Sequence, residues 1–295
     1  MAAIPTPFPL PAPVPADRAS QRSEFDFSEH IDGLPAVYGA LANVCMQLAF
    51  APVGRGVVES KVESGSILKH PVKRGRTTLS YLAVALLGDD ETRRIFRNAV
   101  NGQHRQVVSD ANSPTQYNAF DPGLQKWVAA CLYRGSEDIQ VAIHGPMDPA
   151  TREAFYQEGA RLGTTLQMKR ETWPKDRDAF EDYWQSMVTT ITATPMDPEV
   201  KQFLRRVLWA GRQGKNRAAL AFGAHLRRMN IGFLPPEFRE HLGVAFTDED
   251  QRLFDAQMRR VRAVYQRLPT PLRAFPFNAL LWDVKRRIRH GIPLV

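Results

Sequence analysis

Leu79-Ser80-Tyr81-Leu82-Ala83-Val84-Ala85-Leu86-Leu87, closed by Gly88, is the stretch that decides the fold. It is apolar on nearly every side at helical spacing, and the glycine after it is a helix stop. A helix with no polar face has no side to give to water. The reading predicts a helix over roughly 75–88, central and buried all round. It is well short of the about 18 apolar residues that a bilayer span needs. Asp89 and Asp90 then start the next helix as caps. In that helix Phe96, Val100, His104 and Val107 recur at steps of four, four and three, which puts His104 on the apolar stripe.

Working outward, the same period continues. Pro122 opens a helix that carries Leu124, Trp127, Val128 and Leu132, and Asp148-Pro149 opens another over 149–163. Phe180, Trp184, Met187 and Ile191 stripe a third, and Phe254, Met258, Val261, Tyr265 and Leu268 a fourth. The last begins near Phe277 and runs to His290. There is no strand-like alternation and no internal repeat, so the expected fold is all-α, a single large helical domain over 33–295. Residues 1–22, with proline at every second position from 5 to 15, read as a disordered tail.

Composition narrows the class. Of 295 residues, 43% are hydrophobic and 24% charged, which suits a folded chain rather than a disordered one. Cys45 and Cys131 sit in apolar runs with no CxxC or Cys/His spacing, so buried small residues are expected rather than a zinc site or a redox pair. The net charge of +8 favours anionic partners. The densest basic runs, 258–262 and 285–290, lie on amphipathic helices; a solvated face accounts for them, and contact with an anionic membrane surface is the functional alternative. Net charge without a binding motif does not support nucleic acid. The N-terminus has neither the basic nor the apolar region of a signal peptide, so a soluble cytoplasmic protein, peripherally membrane-associated at most, is expected.

No GxGxxG follows a strand, and Walker loop, HExxH and GxSxG are absent, which leaves nucleotide-dehydrogenase, kinase and hydrolase readings without support. There remains a small set of polar residues in apolar settings. His104 needs a hydrogen-bond partner, a metal or a cofactor; a satisfied structural histidine would meet that need as well. Arg74 and Thr78, i and i+4 at the start of the apolar helix, share one face, and a guanidinium there wants an anion; taken alone, the pair reads more simply as a surface arginine and a threonine of the N-terminal turn. Glu59, in Gly56-Val57-Val58-Glu59-Ser60, reads as a general base, as a partner for Arg74, or as an ordinary surface carboxylate.

These residues carry a resemblance. Gly56-Val57-Val58-Glu59-Ser60, Arg74-Gly75-Arg76-Thr77-Thr78-Leu79-Ser80-Tyr81-Leu82, Asn101-Gly102-Gln103-His104-Arg105-Gln106-Val107, Tyr117-Asn118-Ala119-Phe120-Asp121-Pro122, Trp127-Val128 and Gly145-Pro146-Met147 occur in the order and spacing of the MpaB/rubber-oxygenase family, which includes the latex clearing protein. The chain resembles it from about residue 35 to 295. The resemblance implies a globin-like helical core around a b-type haem, with His104 as axial ligand, Arg74 and Thr78 beside the haem, and Glu59 loosely matched to a catalytic base. It implies dioxygen and an apolar substrate, isoprenoid or lipid-like. Two positions depart from the pattern. Ala129 stands where many members have a histidine after Trp-Val, and Thr77 stands where the rubber oxygenase has a lysine, Lys73 being near but out of register. These departures favour the competing reading, a non-catalytic helical protein that keeps the fold without haem and binds a lipid or a partner.

Overall fold

Short acidic, hydroxyl and amide side chains start half of the α-helices by taking up first-turn N–H groups that have no partner within the helix. Asp89 accepts from Thr92, Asp121 from Leu124, Asp148 from Ala150 and Thr151, Asp176 from Ala179 and Asn216 from Ala219. Thr247 and Asp250 form a reciprocal capping box. The computed structural model describes residues 25–60, 62, 67–210 and 216–295. In chain order these hold α1 (Gly33–Ala49), α2 (Ala51–Val58), α3 (Pro71–Leu87), α4 (Asp90–His104), α5 (Pro122–His144), α6 (Pro149–Gly159), α7 (Arg161–Thr164), α8 (Arg177–Thr192), α9 (Pro198–Leu208), α10 (Arg217–Phe233), α11 (Pro236–Leu242), α12 (Asp248–Tyr265), α13 (Thr270–Arg273) and α14 (Phe277–Arg289). The only β feature among the described residues is an isolated bridge between Val108 and Asn118. The fold is all-α, one domain, as the helical period predicts. The proline-rich stretch 1–22 lies outside the described residues.

Helices α1 and α5 form the centre: α1 touches α2, α5, α9, α10 and α11, and α5 also meets α7 and α12. Between α5, α6 and α8 the core is aromatic, with Trp127, Tyr133, Phe155, Tyr156 and Phe180 all without accessible surface. The chain bends by 107° from α1 into α2. That bend needs Gly54, since a Cβ there would lie 2.4 Å from the Leu48 carbonyl oxygen. Among the described residues no single helix is long and apolar enough to cross a membrane. Cys45 and Cys131 are free and buried, and burial pushes the Cys45 thiol up to about 12.

The deciding helix departs from expectation in an informative way. α3 packs on α14, α4 and α7, and Ala83, Val84 and Ala85 are fully buried. It is not buried on all sides. Arg74 is exposed, and Gly75, Thr78, Leu79 and Leu82 are half-buried. The accessible stripe Arg74–Thr78–Leu82 runs along one face at helical spacing and ends at Ala85.

Two smaller expectations are corrected. The 149–163 helix is broken at Ala160 into α6 and α7. Val107 is not on the α4 stripe, because the helix stops at His104: Gln106 and Val107 donate to the carbonyls of Gln103 and His104, the signature of a tightened last turn.

One buried charge cluster is prominent. Glu137 of α5 (4% side-chain exposure) accepts two bonds from Arg177 (2.9 and 2.7 Å), one from Arg152 (2.8 Å) and one from the Tyr133 hydroxyl (3.0 Å). Burial alone would raise its pKa; Arg177, with Arg134 and Arg152, reverses this and leaves it at about 2.

Candidate active site

His104 is the last residue of α4, and the chain beyond it folds back over the ring. Val107 and Ala119 are joined by an N–H to O bond of 2.9 Å, as are Ser109 and Tyr117. This closed 105–120 segment brings Phe120 edge-on to the His104 ring, 6.2 Å between centroids. One turn before His104, Asn101 accepts from the Gln167 amide, whose oxygen accepts from Gln125 (2.6 Å); Gln125 also donates to the Ala119 carbonyl (2.8 Å). This amide chain ties the end of α4 to α5 and to the returning segment, so the imidazole is held from two sides.

The imidazole itself has no side-chain hydrogen bond among the described residues, and its Nδ1 is buried without a partner. Such an atom carries a cost on the scale of a lost hydrogen bond unless something else satisfies it. Burial first, and the positive charge of Arg74 second, push its pKa down to about 4. The ring is therefore neutral at pH 7, the form that ligates metals. Arg74, a full turn before Thr78 on α3, is thus near enough for its charge to act on His104, which the sequence period alone does not say.

Arg74 keeps accessible surface, yet protein atoms around it desolvate the guanidinium and lower its pKa. No carboxylate pairs with it among the described residues. Beside it a Cβ added at Gly75 would meet nothing within 4 Å. Thr78 completes this face, half-buried.

Glu59 is placed differently from expectation. It caps α2, and its carboxylate accepts from Ser113 (2.6 Å), the Tyr117 hydroxyl (2.9 Å) and Arg55 (3.4 Å). Arg55 in turn pairs with Asp197 (2.6 Å) and Glu199 (3.0 Å). Glu59 is not the counter-ion of Arg74; it anchors the 105–120 segment. Of the four residues singled out in the sequence, His104 feels the charge of Arg74, Thr78 shares the α3 face of Arg74, and Glu59 is held by Ser113 and Tyr117 of the 105–120 segment. Asn101, Gln125, Gln167 and Phe120 were not singled out. Asn101 and Phe120 lie in quoted motifs; the two glutamines leave no signal in a helical pattern.

No set of three or more His, Cys, Asp or Glu side chains able to hold a metal ion occurs among the described residues. His104 is thus an isolated nitrogen donor under the charge of a cation that has no carboxylate partner among the described residues. The chain belongs to the ER-bound oxygenase mpaB/B'/rubber oxygenase catalytic-domain family, whose model matches residues 28–263. It is 43% identical over 254 residues to uncharacterized protein Mb2261 of Mycobacterium bovis and to uncharacterized protein Rv2237 of Mycobacterium tuberculosis. The alignment covers 86% of this chain and 98% of each relative. No solved structure matches it. Membership makes the chain an oxygenase-type catalytic domain, whose reactants are a small molecule and oxygen.

The pH behaviour of the site is set by the depressed imidazole. The unfolded chain, with an ordinary histidine pKa near 6.5, takes up this proton before the folded chain does. The stability carried by neutral His104 is complete above about 6.5 and is lost as pH falls towards about 4. Arg74→Gln removes the second cause, so the His104 titration should move upward. A ring-proton NMR titration checks both; a wild-type midpoint at or above the ordinary histidine value would contradict the placement.

Proposed function

We propose that this protein is a haem-dependent oxygenase that acts on an apolar, isoprenoid- or lipid-like molecule, with His104 as its one iron ligand from the protein. The observation that supports this is the neutral imidazole, without a side-chain hydrogen bond among the described residues, under the charge of Arg74. A lone imidazole does not hold a bare metal ion well, whereas a haem brings four nitrogen donors of its own and needs one more. Its propionates would meet the guanidinium of Arg74 and relieve the desolvated charge. Open space at Gly75 and the Thr78–Leu82 stripe suit an apolar macrocycle. The residues present fit the group.

Bound haem would supply the redox chemistry that oxygen activation requires. The chain's own residues do the rest. His104 stays neutral at working pH. Arg74 holds an anionic edge and keeps positive charge near the reacting region. Thr78 offers a hydroxyl, and Leu82 with Phe120 keeps the space dry. Glu59 holds the 105–120 segment closed, and through Tyr117 and Ser113 it fixes where Phe120 stands.

A second reading keeps the fold and drops the haem. Thr77 spends its hydroxyl on the Lys73 carbonyl (3.0 Å), and Ala129 is fully buried beside Gly163, so neither position supplies the side chain found there in other members. The optical spectrum separates the two. Protein produced with ample haem precursor should show a Soret band that shifts on adding imidazole or cyanide. A colourless protein under those conditions, co-purifying with lipid, would give the place to the second reading.

A further inference from the structure

The net charge of this chain comes from one place. From residue 200 to residue 236 the sequence has eight Lys or Arg and no Asp or Glu. The whole chain has 39 basic and 31 acidic residues, so everything outside this stretch sums to zero. The C-terminal basic run is different: Lys285 pairs with Asp89 (2.8 Å), and Arg286 and Arg287 share Asp283 (2.7 and 2.6 Å).

Among the described residues this stretch holds most of α9 and all of α10. The outer face of α9 presents Lys201, Arg205 and Arg206, and none of these, nor Arg217 at the start of α10, has a carboxylate partner among the described residues. Trp209, just past α9, lies between Arg205 and Arg227 (5.8 and 5.6 Å from ring centre to guanidinium). Helix α10 is buried at its far end, Met229 to Phe233, but residues 217–222 are exposed on every side. Those residues are Arg-Ala-Ala-Leu-Ala-Phe, with Leu220 41% and Phe222 62% exposed. An apolar helix tip that projects from the body beside such cations is costly to leave in water.

We propose that the end of α9 and the start of α10 form a docking element for an anionic lipid bilayer. Phe222 and Leu220 enter the acyl region, and Arg205, Arg206 and Arg217 lie at the phosphate level. Aromatic and aliphatic residues flanked by Arg are the pattern of interfacial helices, and a negative leaflet attracts such a cluster. A second copy of this chain is excluded as the occupant by charge, since a two-fold contact would set two cationic faces together. A nucleic acid would use polar groups to read its grooves, and Ala218, Ala219, Leu220, Ala221 and Phe222 offer none in their side chains. The element is separate from the His104 site, and its test does not depend on haem.

Full-length protein is tested by flotation with neutral phosphatidylcholine vesicles and with vesicles that include phosphatidylserine. Binding is expected only to the latter, and should fall as salt rises. Each lost cation should weaken binding about fivefold, so the triple variant R205Q/R206Q/R217Q should lose about a hundredfold. F222W should show a blue-shifted emission on anionic vesicles, quenched by brominated acyl chains. K285Q, whose charge is already paired, should bind as wild type. Circular dichroism of each variant shows that the fold is intact. Equal binding to neutral vesicles, binding unchanged in the triple variant, or F222W emission that stays that of water would overturn the proposal. So would tighter binding to a mixed-sequence polynucleotide than to anionic vesicles at the same salt.

Discussion

Replacing His104 with alanine is expected to leave a folded protein that no longer retains haem. The imidazole is the one nitrogen donor of the site, and no side chain near it among the described residues substitutes for it. Loss of an outer-shell partner of a metal ligand costs about 10–100-fold in affinity, and loss of the ligand itself should exceed that. The fold should not suffer, because the wild-type Nδ1 is buried without a partner and its removal relieves that cost. The measurement is Soret absorbance per mole of protein after gel filtration, with thermal melting of the haem-free forms alongside. Arg74→Ala should keep the band but shift it, since a cation next to the imidazole is lost while the ligand remains. If the alanine variant at 104 retains haem as the wild type does, the ligand lies elsewhere and the proposed site is wrong.

How much of this was legible in the sequence depends on the range of each interaction. The α3 run and the His104 stripe are local, set by a 3.6-residue period, and both appear in the structure as helices. The period also gave Arg74 and Thr78 a common face. It says nothing of what that face meets, which depends on how α3 and α4 pack. Burial on all sides does not hold for α3, because an apolar residue that keeps some surface and one packed in a core look alike in sequence. Glu59 fails for another reason. Its partners Ser113 and Tyr117 stand 54 and 58 residues away, and its own neighbours in sequence say nothing of them. In the basic run 285–290, Lys285 is paired with Asp89, and Arg286 and Arg287 with Asp283. The acid-free stretch 200–236 has sparser cations, which a count of dense runs does not pick out. Glu137 and Arg177, 40 residues apart, carry no sign in the sequence that they are partners, and they are the most buried ion pair among the described residues.

That pair sets the largest expected effect on stability. Glu137→Ala removes the acceptor of two Arg177 bonds and of one each from Arg152 and Tyr133. Arg177 is 5% exposed and lies over the rings of Phe180 and Tyr133, so its charge cannot turn to water without opening the aromatic core. Removing one partner of a buried pair costs about 3–5 kcal/mol, much of it the penalty of the charge left behind. The denaturation midpoint should fall accordingly, with the slope unchanged. Glu137→Gln keeps acceptor geometry but no charge and should lose less. Removing both charges with apolar residues of similar volume, Glu137→Leu with Arg177→Met, should recover a large part of the loss, because the uncompensated cation goes with its partner. The pH dependence has the opposite sense to a raised histidine. The Glu137 pKa is about 2 in the fold against an ordinary value of 4.5, so its contribution is complete above the ordinary value and is lost as pH falls through about 2. A Glu137→Ala variant within about 1 kcal/mol of wild type, an amount ordinary for an exposed pair, would show that the cluster is solvated and that α5 does not anchor α8 through it.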